Sequence, residues 1–307
     1  MEEPKTLLEA VRMYADPKVA HDAFVAMRWP HVVACPRMGC GSADVRAIGG
    51  SRPRWLCKDC QREFTAKTGT IFEDSPIGFD KWLPALWLLS SARNGISSCE
   101  LARALDVTQK TAWFMLHRIR LAMQAGSIEP ISGEVEVDET FIGGKPRHQK
   151  PGRQNTKGRG PHAGRTVVLG FRQRGGIVRA FVVDNVRRAT LLPRIREHIA
   201  PGSTVFTDSL KSYHDVKYSY AHHVINHAVK YVRGNVHTNS IESFWSVLKR
   251  TLRGTYVAPR PWHLNRYLDE QIFRFNARES SDGLRFVQAA KGADGKRITY
   301  KQLKYRA

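Results

Sequence analysis

The chain has 307 residues, enough for about two domains of ordinary size, and its 49 lysines and arginines against 28 acids give a formal net charge of +21. Such an excess repels itself in a compact fold unless a polyanion is a normal partner, and nucleic acid is the commonest one. No run of 18 apolar residues occurs, and the opening MEEPKTLLEA carries acids early with no signal-peptide layout; this argues against a membrane-spanning or secreted protein and for a soluble, cytoplasmic, nucleoid-associated one.

Residues 5 to 28 read as helical, with Leu7, Leu8, Val11 and Tyr14, then Val19, Phe24 and Met27, at mixed helical spacing. The first chemical signal follows, in CPRMGC and CKDC. Cys35 and Cys40 have four residues between them, Cys57 and Cys60 have two, and the arm between the pairs is 16 residues long. Two such knuckles suit a tetrahedral four-thiolate zinc site, and a segment this small and polar lacks the apolar mass to fold without a staple. Cys99 stands apart on a helix, where a buried or partly buried small residue is expected.

From Phe79 to Met123 the pattern is helical throughout. KWLPALWLLSSARNG stops at Gly95, and SSCELARALDVTQKTAWFMLHRIRLAM reads as helix, tight turn at Asp106 and Val107, helix. This is a helix-turn-helix pattern, the alternative being a plain helical hairpin. Its second helix would lead into a DNA groove with Thr108, Gln109, Lys110 and Thr111, followed by His117, Arg118 and Arg120.

Beyond Pro130 the periodicity changes to alternation. In SGEVEVDETFIGG, Val135 and Val137 face one side of a strand while Glu134, Glu136 and Asp138 share the other, and Glu139 points away from Asp138 as a structural or supporting acid. RTVVLGFRQRGGIVRAFVVDNV predicts a hairpin turning at Gly175 and Gly176. A helix follows over RRATLLPRIREH, then a buried strand TVFTDS ending on Asp208, a short strand in AHHVINHAVKYV, and a helix over NSIESFWSVLKR. The fold class is therefore α/β, a sheet with helices packed on it. Between Lys145 and Arg165 lie seven lysines and arginines and no acid. With Lys145, Arg147, Lys150 and Arg153 among them, this is read as a basic loop that orders on a phosphate backbone.

The last helix carries Asn239 and Glu242 at i, i+3, with Trp245, Lys249 and Arg250 beyond them. Read alone it is an amphipathic helix burying Ile241, Phe244, Val247, Leu248 and Leu252, and Trp245 packs more readily on the sheet than on a base. Asp138 and Asp208 at strand ends change that reading. Carboxylates from separate elements that converge can hold two divalent ions, and hard oxygen donors suit magnesium or manganese.

Together, VDETFIGG, FTDSLKSY and HTNSIESFWSVLKR resemble the insertion-sequence transposases of the ISXO-type group, and the likeness runs from CPRMGC through TAWFMLHRIR to RYLDEQIFRFNAR. The resemblance implies a ribonuclease-H-like catalytic domain with a mixed five-stranded sheet, preceded by a zinc ribbon and a helix-turn-helix domain. It implies Asp138 and Asp208 as metal-binding aspartates and a third position that is Glu, Asn or His with a trailing lysine. This chain offers Glu242, Asn239 and His237 there, with Lys249 behind; the spacing prefers Glu242, and Asn239 is the close alternative. The wider first knuckle departs from the two-residue spacing usual in the group. The expected divisions are 1–30 (N-terminal helical segment), 31–75 (zinc ribbon), 76–128 (helix-turn-helix), 129–280 (catalytic domain with the basic loop 143–165) and 281–307 (basic tail). The implied partners are transposon ends and target DNA, with a homo-oligomer to pair the ends. A domesticated DNA-binding regulator and a structure-specific nuclease remain the alternatives.

Overall fold

The structure, a computed structural model, describes residues 3–50, 53–124, 126, 129–143, 164–225, 237–257 and 259–304. The chain divides into two compact units, one of residues 1–125 and 277–307 and the other of residues 126–276.

The first unit begins with helices α1 (Leu7–Met13) and α2 (Pro17–Arg28). Asp16 starts α2 by accepting from the amides of Lys18 and Val19, and Pro17 follows where its missing N–H costs nothing. A three-stranded antiparallel ribbon comes next, of β1 (Val45–Ile48), β2 (Arg54–Cys57) and β3 (Glu63–Phe64). Then come α3 (Phe79–Ser91), α4 (Ser98–Leu105) and α5 (Gln109–Ala122). Ser97 and Glu100 form a reciprocal capping box on α4, Asp106 ends it in the left-handed region at φ 49°, and Thr108 caps α5 through the Thr111 amide. Phe24, Phe72, Phe79 and Trp82 form a buried aromatic cluster with ring centroids 4.6 to 5.4 Å apart.

The second unit is built on a five-stranded mixed sheet. Its strands are β4 (Glu134–Ile142), β5 (Thr166–Gln173), β6 (Val178–Val183), β7 (Thr204–Asp208) and β8 (Ala221–Ile225), in the order β6-β5-β4-β7-β8. The hairpin partners are antiparallel, whereas β4, β7 and β8 run parallel. Helix α6 (Arg188–His198) and a 3₁₀ segment (Lys211–Tyr218) cover one face over Val135, Val137, Leu169, Phe171 and Val205. The other face is covered by α7 (Asn239–Gly254) and α8 (Leu264–Asn276), whose Ile241, Phe244, Leu248 and Leu268 pack on Val168, Val178 and Ala180. This strand order and these directions make the unit ribonuclease-H-like.

The last segment departs from the sequence reading. Residues 281–307, expected as a basic tail, carry α9 (Asp282–Lys291) and α10 (Tyr300–Lys304) and close the first unit. Phe286 and Ala289 are fully buried, and Phe286 packs on Tyr14 of the chain's beginning. So few apolar residues among so many charges look like a tail until their distant partners are known. Cys99 also differs from expectation, since it is exposed on α4.

Candidate active site and metal centre

In the ribbon, the thiols of Cys35, Cys40, Cys57 and Cys60 all lie within 4.8 Å of one another. Cys35 Sγ is 3.8 Å from Cys60 Sγ, and Cys40 Sγ is 3.6 Å from Cys57 Sγ. Zinc–sulfur bonds of about 2.3 Å give tetrahedral edges of about 3.8 Å, so the four thiols fit a zinc ion. The wide first knuckle is accommodated by Gly39 and Gly41 at φ 81° and 63° on either side of Cys40. Backbone amides of Cys60 and Asp59 draw the Cys57 thiol down to about 7, while burial and the neighbouring thiols push the Cys40 thiol up to about 11, so the first thiolate of the set forms at Cys57. Around the cluster, among the described residues, only Phe64 joins Cys35 and Cys57 as a fully enclosed apolar group, with Trp29 and Trp55 partly covering it.

In the second unit, β4 and β7 pair in parallel as far as Glu136↔Phe206; Asp208 ends β7, whereas Asp138, expected at a strand end, lies midway along β4, near enough for the Asp208 charge to act on it. Asp138 is also paired across β5 with Gly170, where a Cβ would stand 2.5 Å from the Trp245 ring and 3.1 Å from Ile241. The missing side chain makes room for the indole, and Trp245 Nε1 donates to Asp138 Oδ2 at 2.9 Å. Burial, then the neighbouring Glu139 and Asp208 carboxylates, push the Asp138 carboxyl up to about 7, against the Trp245 hydrogen bond.

Glu139 lies on the opposite face, held by a 2.6 Å hydrogen bond from the Tyr213 hydroxyl, and burial also raises its pKa. Asp208 is fixed locally, its Oδ1 accepting from the Leu210 amide at 3.0 Å. Among the described residues the closeness of the four thiols is not repeated by acids.

On α7, Lys249 is half-buried; burial lowers its pKa, while the Asp138 charge works in the other direction. Glu242, also half-buried, accepts from the Thr238 hydroxyl at 3.0 Å. Asn239 and Arg250 are exposed. His237 Nδ1 lies 3.2 Å from Glu136 Oε1. Trp245 is buried, packed between helix and sheet as expected.

The first unit corrects part of the groove-facing set. Arg118 is buried, donates to the Glu73 carbonyl at 2.9 Å and lies over the Phe114 ring. His117 and Arg120 are buried as well. The second half of α5 is thus a core segment, because its polar residues turn inward against α3 and α9 rather than outward. Thr108, Gln109 and Lys110 at its start are exposed and Thr111 is half-buried, yet each already has work to do. Thr108 and Thr111 share the cap, Gln109 Nε2 donates to Ser98 Oγ at 2.8 Å, and Lys110 lies over Tyr300. Lys145, Arg147, Lys150 and Arg153 fall outside the described residues.

Sequence reasoning set Glu136 on the right face but missed what it does. It is fully buried beneath α7 and paired with Arg174 of the β5–β6 turn, a contact across 38 residues. Gly170 and Tyr213 were missed entirely. A lone glycine inside an apolar strand, opposite an acid, was the signal for Gly170.

Residues 130–276 match the model of the ISXO2-like transposase domain, and residues 16–63 match that of the transposase zinc-ribbon domain. A Halobacterium salinarum protein, described as an uncharacterized protein in transposable element ISH50, is 30% identical over 260 residues, covering 79% of this chain and 85% of its own length. An uncharacterized transposase-like protein of Haemophilus influenzae is 38% identical over 114 residues, covering 36% of this chain and 92% of its own. No solved structure matches.

Proposed function

Because the chain belongs to the ISXO2-like transposases, we propose that its second unit cuts a phosphodiester at a transposon end and joins the freed 3′ hydroxyl to target DNA. The observation that carries this reading is the meeting of Asp138, midway along β4, with the charge of Asp208, at the end of the neighbouring parallel strand β7, beside Lys249. Both acids present hard oxygen donors, and with the Asp138 carboxyl raised only to about 7 a cation binding there would displace its proton to water near neutral pH. Asp138, Asp208 and Glu242 would hold two magnesium or manganese ions, which supply charge opposite the attacking and leaving oxygens.

The register of α7 favours Glu242 over Asn239. Trp245 meets Asp138, and Glu242 is three residues away, about 4.5 Å of helix rise, whereas Asn239 is six away, about 9 Å. Lys249, one turn beyond Trp245, is set to bind a phosphate oxygen next to Asp138. Trp245 and Gly170 keep one Asp138 oxygen oriented by the indole N–H.

The four-thiolate ribbon and the α4–α5 pair in the first unit serve end recognition in this reading, the pair acting as a helix-turn-helix. Thr108, Gln109, Lys110 and Thr111 at the start of α5, Arg250 on α7 and the basic loop contribute affinity for the DNA backbone. Joining paired ends calls for more than one copy of the chain.

An assay with 3′-labelled transposon-end DNA, with and without magnesium, tests the function. Magnesium-dependent cut and joined products are expected, and Asp138→Asn should abolish both while end binding stays within about twofold. Cutting without joining would mark a structure-specific nuclease, and binding without any product a regulator; either sinks the reading. Glu242→Gln should lose the products and Asn239→Ala keep them, with the reverse outcome moving the third ligand to Asn239.

A further inference from the structure

We infer that Glu136, two residues before Asp138, is a positioning residue that sets the register of α7 and so places the third metal-binding side chain; this rests on the two-metal reading of Asp138, Asp208 and Glu242. Glu136 is fully buried, and a carboxylate in that setting needs charged and hydrogen-bonding partners. It has them on both oxygens. Arg174 Nε donates to Oε1 at 3.0 Å with His237 Nδ1 3.2 Å away, and the Ile241 backbone amide donates to Oε2 at 3.0 Å.

The Ile241 contact is the informative one. The first amides of a helix have no partner inside it, and the N-cap residue normally supplies one. Thr238, the N-cap of α7, makes no such bond; its hydroxyl is turned to Glu242 instead. The acceptor comes from 105 residues earlier, on the strand that carries Asp138. Its negative charge also suits the positive end of the helix dipole.

The spacing of the attachments fits this role. Strand β4 meets α7 at Glu136 with Ile241 and at Asp138 with Trp245. Two strand residues advance about 6.7 Å and four helical residues about 6 Å, so the helix lies in step with the strand between the two points. Glu242 sits inside that pinned stretch. A slip of α7 by one residue would break both bonds and turn Glu242 about 100° around the axis.

The test uses the full chain. Manganese binding is followed by the electron paramagnetic resonance signal of the free ion, and cleavage is measured across a manganese titration. Glu136→Gln has one acceptor oxygen where Glu136 uses two, so it cannot serve both Arg174 and the Ile241 amide, and it removes the charge between them. It should weaken manganese binding at least tenfold, recover most of the wild-type cleavage rate at saturating manganese, and bind transposon-end DNA within twofold of wild type. Wild-type manganese affinity would overturn the inference, and so would a rate that excess metal does not restore. If Glu136→Gln does not fold, Arg174→Met is measured in its place against the same two criteria. Asp138→Asn separates the two levels: if it too binds manganese normally, the metal-site reading fails; if it does not, while Glu136→Gln does, only the positioning role fails.

Discussion

The chain has two candidate metal centres, and they relate to the fold in opposite ways. Four thiols within 26 residues of sequence already stand at the edge lengths of a zinc tetrahedron, in a ribbon with hardly any apolar core. The acids of the second unit come from strands and a helix far apart in sequence, stand further from one another, and rest on a sheet with a packed core on each face. In the ribbon the metal would hold the fold together. In the sheet unit the fold stands by itself and holds its acids at a cost, which a cation would relieve.

The sharpest way to break this comparison is Cys57→Ser. Structural zinc sites contribute about 10–16 kcal/mol of apparent binding free energy to folding. The ribbon should therefore unfold, seen as loss of bound zinc and fast proteolysis within residues 35–64, while a fragment spanning 126–276 resists. Equal proteolysis of both would show that the sheet unit also depends on the ribbon.

Removing the acid should do the reverse. The Asp138 carboxyl titrates near 7 in the folded protein and near 3.8 when unperturbed. Between those values the folded state holds a proton that the unfolded state has lost, so stability falls as pH rises through that window and stays lowered above it. Each tenfold weakening of the carboxyl as an acid corresponds to about 1.4 kcal/mol, so Asp138→Asn should stabilise the metal-free protein at pH 8 by on the order of 4 kcal/mol. The gain should vanish by about pH 3, below both values, where both states are protonated. A thermal melt of the metal-free variant at both pH values checks this, and a lower melting temperature at pH 8 would contradict the strain.

Two smaller effects sharpen the picture. Gly170→Ala puts a methyl into the Trp245 ring and should cost about 1–3 kcal/mol, with cleavage falling because the indole leaves Asp138. Arg118→Ala, which the burial of Arg118 makes a core change, should lower stability by about 1–2 kcal/mol. A purely DNA-facing arginine would instead weaken binding and leave the melt unchanged.

How much was legible in advance follows from the range of the contacts. Cysteine spacing, the alternation of Val135, Glu136, Val137 and Asp138, and the Gly175–Gly176 turn are local patterns, and each element they predict is present. The inward turn of Arg118 and the docking of Phe286 depend on partners tens or hundreds of residues away, so periodicity alone misassigned one and missed the other.

By itself the sequence determined which residues can bind a soft metal, which acids lie on strands, and how the sheet alternates, because these follow from residue chemistry and periods of two and 3.6. Only the tertiary structure decided that Asp138 is buried enough to titrate near neutrality, that Gly170 admits Trp245 to it, and that a buried Glu136 starts the helix bearing Glu242. Those outcomes depend on desolvation and close packing between distant segments, which no local pattern encodes.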